Sequence, residues 1–391
     1  MLEKAQALQE ELTRLRRTIH QHPELGFEEL KTAALVAETL SELGIEYQTG
    51  VGKTGIVARL GQGQPGAPVI GIRADMDALP ILEANDVPYK SQVPGKMHAC
   101  GHDAHTTMLL GAAMLLKEAD IPGEIRLLFQ PSEERQDAEG QSGAMRMIAD
   151  QAIEGLDAVL ALHVNSTLDR GQVVIDDGYI LANADHIEAR IIGRGGHGAA
   201  PHSARDPIFL LAPVLTALHG IVSRWVNPNS PAVVTVGRVT GGTVNNVIPN
   251  DVELELTLRS ADDAVREQLI AEVEQALSVA RALGGDYEMV VHRGYPATYN
   301  DPQVASWIRT TAVELLGEEN VVSRGLAMGA EDFGFMARAS QGAMMFLGTR
   351  EPGGPDRYLH HPEFDLDEEA LPLGTAVLAE TALRFAQGIY K

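Results

Sequence analysis

Eleven residues, Gly95 to His105 (GKMHACGHDAH), gather three histidines, one aspartate and the only cysteine of the chain. Cys100 and His102 are separated by one glycine, a spacing that suits a loop on which a thiolate and an imidazole converge. Both groups are good ligands for zinc-like ions, at roughly 2.0–2.3 Å. The spacing is not that of a zinc finger, and no second cysteine exists to build a four-thiolate site. A lone cysteine is ordinarily a small buried hydrophobe. A Cys-Gly-His-Asp cluster points instead to a metal site.

Two other stretches offer matching chemistry. Glu133 and Glu134 follow the apolar run 125–129 (IRLLF), and His163 follows the run 158–162 (AVLAL). Both runs read as strands, and open α/β sheets carry their sites at strand carboxyl ends. Cys100/His102, Glu133/Glu134 and His163 are therefore expected along one sheet edge. Alone, Glu133-Glu134 would read as a solvated acidic turn. Asp75, Asp77, Asp103 and His105 are candidates to orient such ligands, or to serve in packing. The glycines of GQGQPGAP (61–68) lack the following Lys-Ser/Thr and helix of a phosphate loop.

A scaffold must bring these pieces together. Leu8, Leu12, Leu15 and Ile19 recur at helical spacing over residues 3–20, and His22-Pro23 stops that helix. A second helix is expected over 28–43 with Gly44 just past its end, then strands at 55–60 and 69–74 and a helix at 105–118. From about residue 185 the pattern becomes strand (HIEARIIG), helix 207–222, strands 232–239 and 252–259, helix 263–283 and strand 287–292. That order, β-α-β-β-α-β, is a ferredoxin-like unit. It interrupts an α/β domain that resumes with a helix at 302–316, a strand at 342–347 and a helix at 368–387. The expected fold class is α/β: a catalytic domain with an open mixed sheet flanked by helices, plus the inserted unit. The expected boundaries are 1–183, 184–294 and 295–391.

The chain has 391 residues, 45% hydrophobic and 22% charged, which predicts a globular protein with a large core. Its net charge of −23 repels phosphate backbones, so nucleic acid and anionic membrane are poor partners. An anionic substrate would need a local cationic clamp. One cysteine fits a reducing compartment, the charged N-terminus does not read as a signal peptide, and no apolar run of spanning length stands out. A cytoplasmic protein is expected.

With the pieces placed, the chain resembles the dinuclear-metal aminoacylase and carboxypeptidase family. The resemblance is strongest to the branch of hippurate hydrolases, auxin-conjugate amidohydrolases and N-acetyl-diaminopimelate deacetylases. The motifs are IHQHPELGFEE (19–29), RADMDALP (73–80), MHACGHDAHTTMLLGAA (97–113), FQPSEE (129–134), LHV (162–164), GRGGHGAAPH (193–202), GGTVNNVIPNDVELELTLR (241–259), MGAEDF (328–333) and HHPEFDLDEEALPLG (360–374).

The resemblance implies that Cys100, His102, Glu134, His163 and His360 hold two divalent ions per subunit (Zn, Mn, Co or Ni), with Cys100 bridging. His361 is a rival, but His360 matches the family's His-x-Pro. It implies a metal-bridged water as nucleophile, Glu133 as general base, His197 as a lid histidine reaching the partner subunit's site, and Asn246 and Arg259 as binders of the substrate's polar end. The inserted unit would be a lid that also forms a homodimer or higher homo-oligomer. The expected reaction is hydrolysis of N-acetyl- or N-benzoyl-type N-acyl amino acids. Alternatives are a carboxypeptidase or dipeptidase acting on short peptides, a non-catalytic binding homologue, and a hydrolase with Cys100 as nucleophile. One departure is RQDAEGQSG (135–143), where relatives often carry a glycine-rich run.

Overall fold

Val69–Asp75 (VIGIRAD) is buried along almost its whole length, with Ile70 and Ile72 at 0% exposure. A run with no polar face belongs inside a sheet. In the computed structural model, which describes residues 1–390, it pairs in parallel with Glu124–Gln130 on one side and Ala158–Asp169 on the other. The full sheet has eight strands in the order Glu46–Val51, Gly55–Gly61, Glu124–Gln130, Val69–Asp75, Ala158–Asp169, Gln341–Arg350, Val173–Val174 and Val321–Val322. It is mixed: the first three pair antiparallel, the central pairings are parallel.

Helices His102–Leu116 and Leu371–Ala386 pack on each other and on Val69–Asp75. They approach closely at Gly374, where a Cβ would stand 2.3 Å from Met108 Sδ. The core spans this layer, from Leu12 and Leu15 through Ile56, Ile70, Leu109 and Leu160 to Leu347 and Val377. Three features depart from the sequence expectations. The first helix is two, Leu2–Gln6 and Gln9–Gln21, separated by a turn at Ala7 and Leu8. Strand Glu46–Val51 has no hydrophobic alternation because it is a sheet edge, exposed except at Val51. The helix expected at 105–118 begins at His102.

The chain forms two compact units: Met1–Gly178 with Tyr299–Gly325 and the chain from Phe335 onward, and Tyr179–Thr298 with Leu326–Gly334. The second contains the β-α-β-β-α-β order as a four-stranded antiparallel sheet: Ala232–Thr240, Asp251–Ser260, Asn183–Ile192, Asp286–Arg293. Alternate residues of the two central strands are buried, among them Ile187, Ala189, Ile191, Leu254, Leu256 and Leu258. They meet Leu210, Val214 and Leu218 of helix Pro207–Arg224 and Leu269, Val273 and Leu277 of helix Asp263–Ala282. Each such side chain contributes about 1.5–3 kcal/mol on burial. Helix Pro207–Arg224 is long and apolar enough to cross a membrane by length and composition, which the sequence reading did not pick out. Here its apolar residues supply one face of this second core.

That core also encloses an ion pair: Arg266 Nε donates to Asp185 Oδ2 at 2.8 Å, and Asp185 also accepts the Gly294 N–H. Asp185 is 3% exposed, so Arg266→Ala would strand a buried carboxylate. The expected loss is about 3–5 kcal/mol, read as a lowered thermal transition of this unit in calorimetry.

Candidate metal centre

Gly101 turns the chain from Cys100 into helix His102–Leu116. Its φ is +90°, and a Cβ there would meet Val164 Cγ2 at 2.3 Å, so only glycine fits. The turn puts Cys100 on the preceding loop and makes His102 the first helical residue. The His102 Nδ1 lies 3.1 Å from Asp77 Oδ1. The same carboxylate accepts the Glu133 N–H on Oδ1 and the Glu134 N–H on Oδ2, both at 3.0 Å. One aspartate thus aims an imidazole and both glutamates.

His163 sits in the middle of Ala158–Asp169 rather than at its carboxyl end. The strand continues because Gln341–Arg350 stays paired beside it, with Phe346 opposite His163 and Gly348 opposite Asn165. His163 Nδ1–H donates to the Val164 carbonyl at 2.8 Å, leaving Nε2 3.5 Å from Cys100 Sγ. His105 braces this segment: its Nε2 accepts the Val164 N–H at 2.9 Å and its Nδ1–H donates to Asp75 Oδ1 at 2.6 Å. The other Asp75 oxygen accepts from Arg73 at 2.7 Å. Asp103 turns away, to Arg16 (2.8 Å) and His20 (2.7 Å) on helix Gln9–Gln21, and so ties the two helices together. His98 is buried, and neither of its ring nitrogens is hydrogen-bonded.

His360 has a left-handed backbone (φ +59°) and is anchored by its N–H to the Ala99 carbonyl at 2.8 Å. That turn carries Nε2 to 3.1 Å from Glu134 Oε1. His361 instead accepts the Glu363 N–H on Nδ1, capping its own turn. Side-chain donor atoms fall into groups within 4.8 Å of one another: Cys100, His102 and His163; Cys100, Glu134 and His360; His102, Glu133 and Glu134. Cys100 belongs to the first two.

The electrostatics fit a cation. His102 Nε2 is buried without a hydrogen-bond partner, while carboxylate oxygens of Asp75, Glu133 and Glu134 lie 3.8–4.0 Å from it. Burial alone would lower the His102 pKa, but Asp75, Asp77 and Glu134 overcome it and raise it to about 10. The surrounding acids favour positive charge at this point. His163, by contrast, is pushed down to about 3 by burial and by His105, so its ring is neutral and its Nε2 lone pair available. One soft thiol, three imidazoles and a carboxylate form a donor set suited to transition metals.

Glu29, which the sequence reading passed over, holds the glutamate turn from beneath. It is fully buried, and accepts the Ser132 N–H at 2.8 Å and the Thr54 hydroxyl at 2.5 Å. Ser132 is itself left-handed at φ +44°, a strained state for a non-glycine residue. A Cβ on Gly26 would stand 2.2 Å from Ser132 Oγ, so the turn has no room to relax. Burial and the nearby Asp77 charge push the Glu29 carboxyl up to about 7 from its ordinary 4.5. The unfolded chain then releases this proton at lower pH than the folded one. Its contribution is therefore most favourable below pH 4.5 and falls as pH rises to 7, by about 3 kcal/mol. Glu29→Gln should flatten that slope, raising Tm relative to wild type more at pH 7.5 than at pH 4.5.

The RQDAEGQSG loop is organised by Asp137, which takes Lys53, Arg146 and the Glu139 and Gln141 N–H groups. The remaining sequence candidates lie in the second unit. His197 pairs with Val247 across a two-stranded ribbon, and the adjacent Asn246 carbonyl accepts the Gly198 N–H. Arg259 is half-buried on Asp251–Ser260, and donates to Thr257 Oγ1 at 2.7 Å and the Leu258 carbonyl at 3.0 Å.

The chain is 40% identical over 381 residues to thermostable carboxypeptidase 2 of Saccharolobus solfataricus, covering 96% of this chain and 95% of that one. It is 39% identical over 379 residues to IAA-amino acid hydrolase ILR1-like 4 of Arabidopsis thaliana, covering 95% and 84%. Among solved structures, the Bacillus subtilis YXEP protein, described as a dinuclear metal binding peptidase from the M20 family, superposes with a TM-score of 0.85 at 32% identity over 97% of this chain and 99% of that one. The model of peptidase family M20/M25/M40 matches residues 71–384. On these matches the chain belongs to peptidase family M20/M25/M40 and is a hydrolase of that family.

Proposed function

We propose that this chain is a metal-dependent amidohydrolase that cleaves the amide bond of N-acyl amino acids. The observation that carries the reading is the buried, unpartnered His102 Nε2 set among Cys100, His163, Glu133 and Glu134. We assign Cys100, His102 and His163 to one divalent ion, and Cys100, Glu134 and His360 to a second. Cys100 belongs to both triplets and would be shared between the two ions' ligand sets. Such ions, when bound, lower the pKa of water and polarise the substrate carbonyl.

The rest is work for side chains. Water adds to the carbonyl carbon, the C–N bond breaks, and an acid and an amine leave. Glu133 takes the water's proton and returns it to the departing nitrogen. Its neighbour Glu134 serves as ligand, so the two adjacent acids divide the labour that one could not perform alone. Asp77 keeps them in register. We assign His197 to the developing oxyanion, and Asn246 and Arg259 to the substrate carboxylate, which a guanidinium clamps by two parallel hydrogen bonds. In a chain of net charge −23, such a clamp offsets the repulsion of an anion. The inserted unit is assigned as lid and dimerisation surface; exposed Phe209 (67%) and Trp225 (63%), at opposite ends of its first helix, support the second role.

The carboxypeptidase relative favours a second reading, cleavage of short peptides at the same centre. A panel of N-acetyl and N-benzoyl amino acids against dipeptides separates the two. Turnover of the acyl amino acids should vanish with chelator and return with Mn²⁺, Zn²⁺, Co²⁺ or Ni²⁺. Activity retained in metal-free Cys100→Ala protein would sink the metal mechanism. Block by thiol alkylation with indifference to chelators would point to Cys100 as nucleophile instead.

A further inference from the structure

The open face of the inserted sheet carries a second cluster of ligand-type side chains. His186 on Asn183–Ile192 and His292 on Asp286–Arg293 are direct cross-strand partners. Side chains so paired have Cβ atoms about 4.5–5.5 Å apart, and here the rings lie 5.6 Å between centroids at 33°. Glu188, two residues along the same face, completes the group: its Oε1 lies 3.8 Å from His186 Nε2 and 3.4 Å from His292 Nε2. The three side chains are 44%, 60% and 52% exposed in the order His186, Glu188, His292, so ions have access.

Neighbouring charges on this face are satisfied differently. Arg190 pairs with Asp251 and Glu288, and Glu255 pairs with Arg238. Glu188, among the described residues, has only the two imidazoles as ion-pair partners. It lies between two imidazoles. Two ligands each about 2.1 Å from a tetrahedral ion stand about 3.4 Å apart. The His292–Glu188 separation matches that spacing; the His186–Glu188 separation exceeds it, so the half-exposed imidazoles must rotate to close on one ion.

We propose that His186, Glu188 and His292 form a mononuclear transition-metal site on the inserted sheet, separate from the Cys100-centred cluster. Two imidazoles and one carboxylate select Zn²⁺, Ni²⁺ or Cu²⁺ over Mg²⁺ and Ca²⁺, and water fills the remaining positions. The ion ties edge strand Asp286–Arg293 to its neighbour, so binding stabilises this unit.

The test uses full-length protein stripped of metal and dialysed against buffered Zn²⁺, with bound zinc measured per chain. Wild type should retain one ion more than the double variant His186→Ala/His292→Ala, whatever the total. Because the reading is a difference, a failure of the Cys100-centred assignment would not mimic it. Glu188→Gln, which preserves the shape of the surface, should weaken that one ion at least tenfold. Zn²⁺ should raise the Tm of the inserted unit in wild type more than in either variant. Turnover at saturating metal should be the same in all three proteins. Equal zinc content in wild type and the double variant, or an undiminished affinity in Glu188→Gln, would overturn the site.

Discussion

Glu133→Gln should lower kcat by about 10²–10⁴-fold, which corresponds to about 3–5 kcal/mol of transition-state stabilisation. Its metal content should match that of wild type. The reason is local. The Glu133 N–H bond to Asp77 belongs to the backbone and survives the substitution, so the turn and Glu134 stay in place. Glutamine keeps the size of the side chain but has no basic oxygen able to accept a full proton. Kinetics on metal-loaded protein, with bound metal measured in parallel, decide the matter. An unchanged kcat would remove Glu133 from the mechanism; a collapse in metal content would recast it as a ligand.

Asp77→Ala should show the second largest effect, and through binding rather than proton transfer. This carboxylate is 1% exposed and contacts His102 Nδ1 and the N–H groups of Glu133 and Glu134. Its loss frees the His102 ring to rotate and leaves buried donors unpaired, at about 1–3 kcal/mol each. Metal affinity should fall about 10–100-fold. Activity at limiting metal should fall with it, and saturating metal should recover part of the loss. Asp77→Asn should be milder, because the amide oxygen can still accept one of these bonds. Titration with a competing chelator measures both variants; wild-type affinity in Asp77→Ala would show that His102 is oriented by other means.

Much of this arrangement was legible in the amino acids. The apolar run of residues 69–74 announced a strand buried on both faces. HIEARIIG and residues 252–259 read as strands, and the order of elements around them announced an insertion. The chemistry was equally local. A thiol and an imidazole one glycine apart, two adjacent glutamates and a histidine on an apolar run pointed, taken together, to an expected metal site. Motif resemblance then named the family.

What sequence could not supply was which atoms face one another, because that depends on contacts between residues far apart in the chain. His163 reads as a strand-end residue until the pairing with Gln341–Arg350 extends its strand to Asp169. His360 and His361 are chemically identical, and the left-handed turn held by the Ala99 carbonyl separates them by orientation. Glu29 looks like one more acid in an acidic chain, yet burial beneath Ser132 makes it a brace for the glutamate turn. Residue type determines what a group can do. Burial and hydrogen bonding across the fold decide which way it points, how it is charged and what it is left to bind.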